Sequence, residues 1–221
     1  MDTINLLPAL RFLDEIRQNN NKTWFDQNRA AYEDARVNFE RFIDSIIDEL
    51  RESDHLQGLS ARECIPRIYR DIRFSKDKSP YKTNLGAIIA PGGWKSTHMG
   101  YYISIGAQDQ SLIAGGLYMP SPEQLNLFRR SVDQNAAGLK NITQSKSFIE
   151  QFGELEGQRL KTAPKGYEQT HPEIDLLRLK QVTVMHHFSD NQVLEPNFPD
   201  QALSVCRAMK PFLDYLNEIL R

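Results

Sequence analysis

The amino-acid sequence predicts an α+β fold, a mainly antiparallel sheet of about five strands packed with amphipathic helices from both ends of the chain. Apolar residues recur at helical spacing near both termini. In the middle of the chain the apolar period shortens to that of strands. The central strands lack intervening helices long enough for a parallel crossover, so antiparallel pairing is favoured.

The N-terminal region carries two helical patterns. The first begins with Leu6 and runs through Gln18, where the polar run Asn19-Asn20-Asn21 stops it. The second opens at Trp24 and continues as one apolar stripe to Leu50. Each stripe predicts a helix that buries one face.

Alternating or short apolar runs predict the strands. They cover residues 65–74, 85–90, 101–107, 111–118 and 182–188. Pro91-Gly92-Gly93 indicates a turn, and the short link at 108–110 suits a hairpin.

The C-terminal half returns to helical patterns. Ser121-Pro122-Glu123-Gln124 has a capping residue, a proline for the first helical position and a glutamine that can complete a capping box. Short helices are predicted near Phe148 and at 172–179, and a long amphipathic helix from Ala202 to Leu220. No internal repeat or low-complexity linker occurs, which favours a single domain over residues 1–221.

Composition excludes several classes of protein. The 221 residues carry a net charge of −2, so no overall positive field indicates nucleic-acid binding. Cys64 and Cys206 are the only cysteines, which supports neither a disulfide framework nor a cysteine zinc cluster. Neither a secretory signal pattern nor an apolar window of about 18 residues is present, so we expect a cytoplasmic protein with no membrane partner.

The stretch "RIYRDIRFSKDKSPYK", residues 67–82, is called the basic segment below. Residues 62–82 hold seven Arg or Lys and three Asp or Glu, so positive charge is concentrated in a slightly acidic chain. On a strand, Asp71 would lie between Arg67 and Arg73 and could hold one guanidinium by both oxygens. Arg70 falls on the apolar face, where a buried guanidinium needs a partner.

One hypothesis is a site for a phosphate- or carboxylate-bearing ligand. Its candidate anion-binding residues are Arg67, Arg70, Arg73, Lys78, Tyr81, Lys82, Gly115 and Gly116. The two glycines would let a ligand approach the backbone closely. In an enzyme, Asp71 or Asp77 would be the catalytic proton acceptor or a magnesium ligand.

Other hypotheses remain open for the same residues. The cations could pair with carboxylates of the chain and form a purely structural network, or meet an acidic protein or a nucleic-acid backbone. Gly115 and Gly116 could mark a bulge or a tight packing contact. The sequence does not decide whether the protein is an enzyme.

Motifs of known chemistry are missing. No dinucleotide fingerprint, P-loop, H-E-x-x-H or G-x-S-x-G motif occurs, so no cofactor is indicated. His186 and His187 are adjacent in a predicted strand and would point to opposite faces, so they would not share a metal ion. The sequence indicates no metal site.

Four segments carry a family resemblance. "NNNKTWFDQNRAAY", "RIYRDIRFSKDKSPYKTN", "GGLYMPSPEQL" and "PKGYEQTHPEIDLLRLK" occur in this order and resemble an uncharacterised family of conserved hypothetical proteins of bacteria and fungi, domain of unknown function 2461. The resemblance extends from about Leu10 to the C-terminal helix. It implies a single cytoplasmic α+β domain, and it implies no reaction, substrate or catalytic residue.

Overall fold

The structure, a computed structural model, describes residues 4–155 and 157–220. Within these residues, four strands form one antiparallel sheet in the order β1-β2-β3-β4. The strands are β1 (Leu85–Ile89), β2 (Tyr101–Ile105), β3 (Ser111–Leu117) and β4 (Val182–Phe188). The predicted α+β class is confirmed.

Helices make up most of the remaining chain. They are α1 (Leu7–Gln18), α2 (Lys22–Gln27), α3 (Arg29–Leu50), α4 (Ala61–Cys64), α5 (Pro122–Asn135), α6 (Ala137–Thr143), α7 (Lys146–Phe152), α8 (Ile174–Leu177), α9 (Asp190–Val193) and α10 (Phe198–Ile219). No helix in the described ranges is both long enough and apolar enough to cross a membrane.

The prediction of about five strands is wrong by one strand. Residues 65–74 form no strand, and only an isolated bridge links Tyr69 to Tyr81. On the predicted apolar face Ile68 is buried, but Phe74 at the other end is 96% exposed. The segment therefore alternates between apolar and polar residues, but its apolar side chains are not all buried against the protein. The other four predicted strands are confirmed, with ends that differ by two residues at most.

The helix predictions are confirmed at several boundaries. α1 ends at Gln18, as predicted from the polar run that follows. The capping box of α5 forms: Ser121 Oγ accepts from the N–H of Gln124 at 3.2 Å, and Gln124 Oε1 accepts from the N–H of Ser121 at 2.9 Å. The predicted second helix is instead α2 and α3, divided at Asn28. The Asn28 side chain donates to Trp24 O at 2.9 Å and so competes with the helical ladder.

The chain forms two compact units. The first contains the described residues through Thr97, with Tyr101–Ile113 and His187–Ser204. In it α1 packs on α3, and α3 and α4 pack on β1. β1 pairs with β2 so that Leu85 lies opposite Ile105. Its buried side chains include Phe12, Leu13, Ile16, Phe39, Phe42, Ile43, Ile46 and Ile103.

The second unit contains His98–Gly100, Ala114–His186 and the described residues from Val205 onward. In it α5 packs on α8, and α6 packs on α7. The rings of Phe148 and Phe212 meet at 5.8 Å between centroids. The structure does not test the prediction of a single domain, which stays a prediction.

Candidate anion-binding site

The basic segment folds back on itself as a loop. Its ends meet in the antiparallel bridge between Tyr69 and Tyr81. Two backbone hydrogen bonds of 2.9 Å flank the bridge, from Arg70 N to Pro80 O and from Lys82 N to Ile68 O. The residues between these bonds therefore project as a closed loop.

Side chains inside the loop bind nearby backbone groups, which explains why no strand forms. Asp71 Oδ1 accepts from the backbone N–H of Arg73 at 3.2 Å. Asp77 Oδ1 accepts from the backbone N–H and the hydroxyl of Ser79, at 2.9 and 2.6 Å. Local bonds of this kind offer the backbone an alternative to a sheet ladder.

Two arginines of the loop are paired with its own carboxylates. Arg73 Nε and Nη2 donate to the two oxygens of Asp71 at 3.0 and 2.6 Å. Arg70 Nη1 pairs with Asp77 and also donates to Ser79 O at 3.2 Å. The expected bidentate contact of Asp71 is thus made, and Arg70 has the partner that its position required.

The remaining cations of the segment differ in their contacts. Lys78 Nζ donates to Ile72 O at 3.0 Å. Arg67, Lys76 and Lys82 make no side-chain hydrogen bond or ion pair with any residue that the structure describes. Arg67 and Lys82 are therefore the predicted anion-binding cations that form no side-chain hydrogen bond or ion pair within the described residues, although the charge of Arg67 still acts on Asp71.

Both acidic candidates have a pKa below the ordinary value of an aspartate. The side chain of Arg73, then its backbone N–H, with a small contribution from Arg67, lowers the pKa of Asp71 to about 2. The hydroxyl of Ser79, its backbone N–H and then Arg70 lower the pKa of Asp77 to about 2. A carboxylate with such a pKa is a weak proton acceptor at neutral pH. The catalytic role predicted for the two residues stays untested.

Lys82 differs from the other lysines of the segment because it is half-buried. Burial, and then the positive charge of Arg67, lowers the pKa of Lys82. Burial without a counter-charge disfavours an ammonium group. An anion bound beside Lys82 and Arg67 would supply a counter-charge to both cations.

Arg67 also reaches a cavity of about 190 Å³, called the α3 cavity below. Its lining residues are Tyr32, Arg36, Glu40, Arg62, Ile65, Pro66 and Arg67. Three guanidinium groups and one carboxylate thus share a small concave surface. Arg62 and Arg67 are its exposed cations.

Ion pairs compensate part of the charge in the α3 cavity. Arg36 pairs with Glu33 at 3.1 Å and with Glu40 at 2.7 Å. Arg62 lies 3.7 Å from the other oxygen of Glu40. Glu40 is 13% exposed, so this carboxylate is held between two cations with little water around it. Arg67 forms no ion pair with any residue that the structure describes.

Tyr81 anchors the segment in the first unit. It is 2% exposed and stacks on Phe25 with the ring centroids 4.1 Å apart. Its backbone N–H and C=O both bind the side chain of Asn20. Burial raises the pKa of Tyr81, so the hydroxyl stays protonated at neutral pH. Its predicted role as a ligand donor remains a prediction.

Gly115 and Gly116 lie in β3, and both are in close contact with other residues of the second unit. A Cβ on Gly115 would come within 3.0 Å of Met209 Sδ. A Cβ on Gly116, whose φ is +117°, would come within 3.0 Å of Val182 O. The space that a side chain would need is thus filled by the protein, which favours the tight packing contact. Their predicted role toward an anion stays untested.

Histidines and carboxylates gather in no metal site among the described residues. No group of three or more His, Cys, Asp or Glu side chains there is placed to hold a metal ion. His186 Nδ1 is 2.8 Å from Gln151 O. In the second unit, His171 lies between Asp133, 3.1 Å from its Nε2, and the N–H of Glu173, 3.0 Å from its Nδ1.

Sequence reasoning missed most of the α3 cavity. Tyr32, Arg36 and Glu40 follow each other at intervals of four residues and so share one face of α3. That spacing is visible in the sequence, but the apolar stripe of the same helix predicts only its buried face and not this polar one. Arg62 lies in α4, a helix that was not predicted.

Comparison with known proteins gives a single finding. A family model described as "Conserved hypothetical protein (DUF2461)" matches residues 8–215. No curated protein and no solved structure matches the chain.

Proposed function

The chain belongs to the family of conserved hypothetical proteins DUF2461, and since that membership names no reaction, we propose a function from the site itself. The protein binds a phosphate- or carboxylate-bearing small molecule, and Arg67 and Lys82 of the basic segment hold the anionic group.

The observation that carries the proposal is the difference between two sets of cations. Arg70 and Arg73 are neutralised by Asp77 and Asp71, which favours the structural hypothesis for those two arginines. Lys82 is half-buried next to Arg67, and neither forms an ion pair with a residue that the structure describes. Burial of a cation without an ion-pair partner costs free energy, and perturbed charges of this kind are enriched at functional sites.

The α3 cavity supports the proposal because it places further cations near Arg67. Arg36 and Arg62 line the same surface. Guanidinium groups bind phosphate and carboxylate through two parallel hydrogen bonds, which gives such a site geometric specificity.

We propose binding rather than chemistry. Proton transfer needs an acceptor with a pKa near the working pH, and Asp71 and Asp77 have pKa values of about 2. The carboxylates of the loop fix its shape instead, since each accepts from a backbone N–H as well as from an arginine.

A thermal-shift titration tests the proposal. Inorganic phosphate, citrate, sugar phosphates, nucleotides and polyphosphate are added at constant ionic strength. A ligand present at one hundred times its Kd stabilises the folded state by about 2.7 kcal/mol. For a chain of this size that corresponds to a rise in Tm of roughly 5–10 °C.

Variants assign the response to the site. Arg67→Ala and Lys82→Ala should abolish the shift, whereas Lys76→Ala, which removes another unpaired lysine of the same segment, should keep it. If no anion shifts the Tm of the wild-type protein, or if Lys76→Ala removes the response equally, the proposal is wrong.

A second candidate is a docking element for an acidic protein, favoured by the exposure of Phe74. The Phe74 ring lies within the loop and is 96% exposed, and the guanidinium of Arg73 lies 5.9 Å from the centroid of the ring. An aromatic anchor beside cations is typical of a protein interface hot spot. Photo-cross-linking from position 74 in cells should yield one acidic partner, and Lys76→Glu should suppress it. Cross-links to nucleic acid instead would identify the other class of polyanion.

A further inference from the structure

The α3 cavity has two chemically different walls. One is a single face of α3 that presents Tyr32, Arg36 and Glu40. The other comprises Arg62 of α4, then Ile65, Pro66 and Arg67. A ligand there meets charge and hydroxyl groups on the helix side and apolar surface from Ile65 and Pro66.

Charge is distributed unevenly over these walls. Arg36 is compensated by Glu33 and Glu40, and Arg62 shares Glu40 at the longer distance of 3.7 Å. Arg67 has no ion pair within the described residues. An anionic group is therefore attracted to Arg67 and Arg62, and it is repelled from the carboxylate of Glu40.

The groups around Glu40 suit a hydroxyl of the ligand. The Glu40 carboxylate can accept further hydrogen bonds. Two cations already surround it, so an ammonium group would add a third positive charge at the same place. The hydroxyl of Tyr32 makes no hydrogen bond to any described residue, and it can donate to or accept from a neighbouring hydroxyl.

Size restricts the ligand further. The cavity measures about 190 Å³. Drug-sized ligands fill cavities of about 300–1,000 Å³. A nucleotide would therefore remain mostly outside, whereas a chain of three or four carbons with hydroxyl groups matches the small volume.

We infer that the α3 cavity binds a three- or four-carbon polyhydroxylated phosphate or carboxylate, with the anionic group on Arg67, the residue that the cavity shares with the proposed anion site, with Arg62 as an additional cation, and with a hydroxyl on Glu40 and Tyr32. This inference rests on the proposed anion-binding function and gives it a substrate class. Ile65 and Pro66 cover the carbon chain of the ligand.

Two ligands that differ only in hydroxyl groups test the inference. Glycerol 3-phosphate and propyl phosphate carry the same phosphate on three carbons, and inorganic phosphate carries no carbon chain. Isothermal titration calorimetry at fixed ionic strength should show glycerol 3-phosphate binding at least about tenfold tighter than propyl phosphate, as expected for hydroxyls received by partly buried polar groups. Glycerate and propionate provide the same comparison for a carboxylate.

Variants connect that preference to the cavity. Tyr32→Phe removes one hydroxyl and Glu40→Gln one charge. Each should reduce the ratio of the two affinities to below about threefold. Inorganic phosphate should bind Tyr32→Phe as it binds the wild type, and it should bind Glu40→Gln at least as tightly, because that variant lacks the repelling carboxylate. Tyr69→Phe, which removes a hydroxyl outside the cavity, should keep the full ratio. Because Glu40→Gln also weakens two ion pairs, Tyr32→Phe serves as the variant least able to affect folding.

The outcomes separate the two proposals. If propyl phosphate and propionate bind as tightly as their hydroxylated counterparts, or if Tyr32→Phe keeps the wild-type ratio, the inferred ligand class is wrong while anion binding stands. If none of these anions binds the wild-type protein, the proposed function fails and the inference fails with it.

Discussion

Asn20 holds Tyr81 by both of its backbone polar groups. Asn20 Nδ2 donates to Tyr81 O and Asn20 Oδ1 accepts from Tyr81 N, each at 3.0 Å, across 61 positions of sequence. The side-chain amide thus takes the place that a neighbouring strand would have. It fixes the end of the basic segment, next to Lys82, on the turn that follows α1.

Removing this amide should destabilise the protein. In Asn20→Ala two half-buried backbone groups lose their partner, which costs about 1–3 kcal/mol. Urea unfolding followed by circular dichroism measures the change. Asn19→Ala is the matched control, because the Asn19 side chain donates to Glu15 O on an exposed surface, and its effect should stay within about 0.5 kcal/mol. Equal effects of the two substitutions would contradict the anchoring role of Asn20.

The carboxylates of the loop should titrate far below their ordinary range. Asp71 and Asp77 have pKa values of about 2, against 3.8 for an unperturbed aspartate. A native pKa below the unfolded value means that the contacts contribute stability above about pH 4 and lose it as the pH falls through about 2. Carbon-13 NMR of the side-chain carboxylates measures both midpoints.

A substitution separates the two titrations. Arg73→Gln should move the pKa of Asp71 back toward 3.8 and leave that of Asp77 near its wild-type value. A midpoint near 3.8 for Asp71 in the wild-type protein would show that the Arg73 contact does not persist in solution.

Gly116→Ala should be among the most destabilising alanine substitutions in β3. The new Cβ would meet Val182 O, and the residue would also keep a φ of +117°. Overpacking costs about 1–3 kcal/mol, and the strained backbone adds a similar amount. Gly58→Ala is the control, since its φ is +74° but no atom lies within 4 Å of the added Cβ. Gly116→Ala should therefore lower the unfolding free energy by at least about 1 kcal/mol more than Gly58→Ala.

The same experiment addresses the predicted role of Gly116 toward an anion. If the alanine variant keeps wild-type stability and loses an anion-induced thermal shift, the glycine serves ligand approach. If it unfolds more readily, the glycine serves packing.

Sequence patterns predicted those elements whose alternation or stripe coincides with real burial. β4 has the predicted limits because Val182, Val184 and Phe188 are buried. The pattern at 65–74 failed because the Asp71 side chain accepts from the backbone N–H of Arg73, and side-chain competition for the backbone is not visible in apolar periodicity. The sequence predicted that Asp71 would hold one of the two neighbouring arginines, Arg67 or Arg73, and the structure shows that the partner is Arg73. The α3 cavity was not foreseen, because it needs α4 and the residues after it to lie across from α3.

Lys82→Met provides the most direct choice between a site and a structural network. The substitution keeps an unbranched apolar side chain and removes a half-buried charge that has no partner among the described residues. Without ligand, the variant should be more stable than the wild type by about 0.5–1 kcal/mol, as for other changes that remove an unfavourable charge. The sign follows from the lowered pKa of Lys82, which shows that its protonated form is disfavoured in the folded state.

The same Lys82→Met variant should lose the anion-induced thermal shift. Lys76→Met, at an exposed position of the same loop, should change neither quantity. If Lys82→Met instead lowers the free energy of unfolding by more than about 1 kcal/mol, the ammonium stabilises the fold, and the basic segment is then a structural network rather than a binding site.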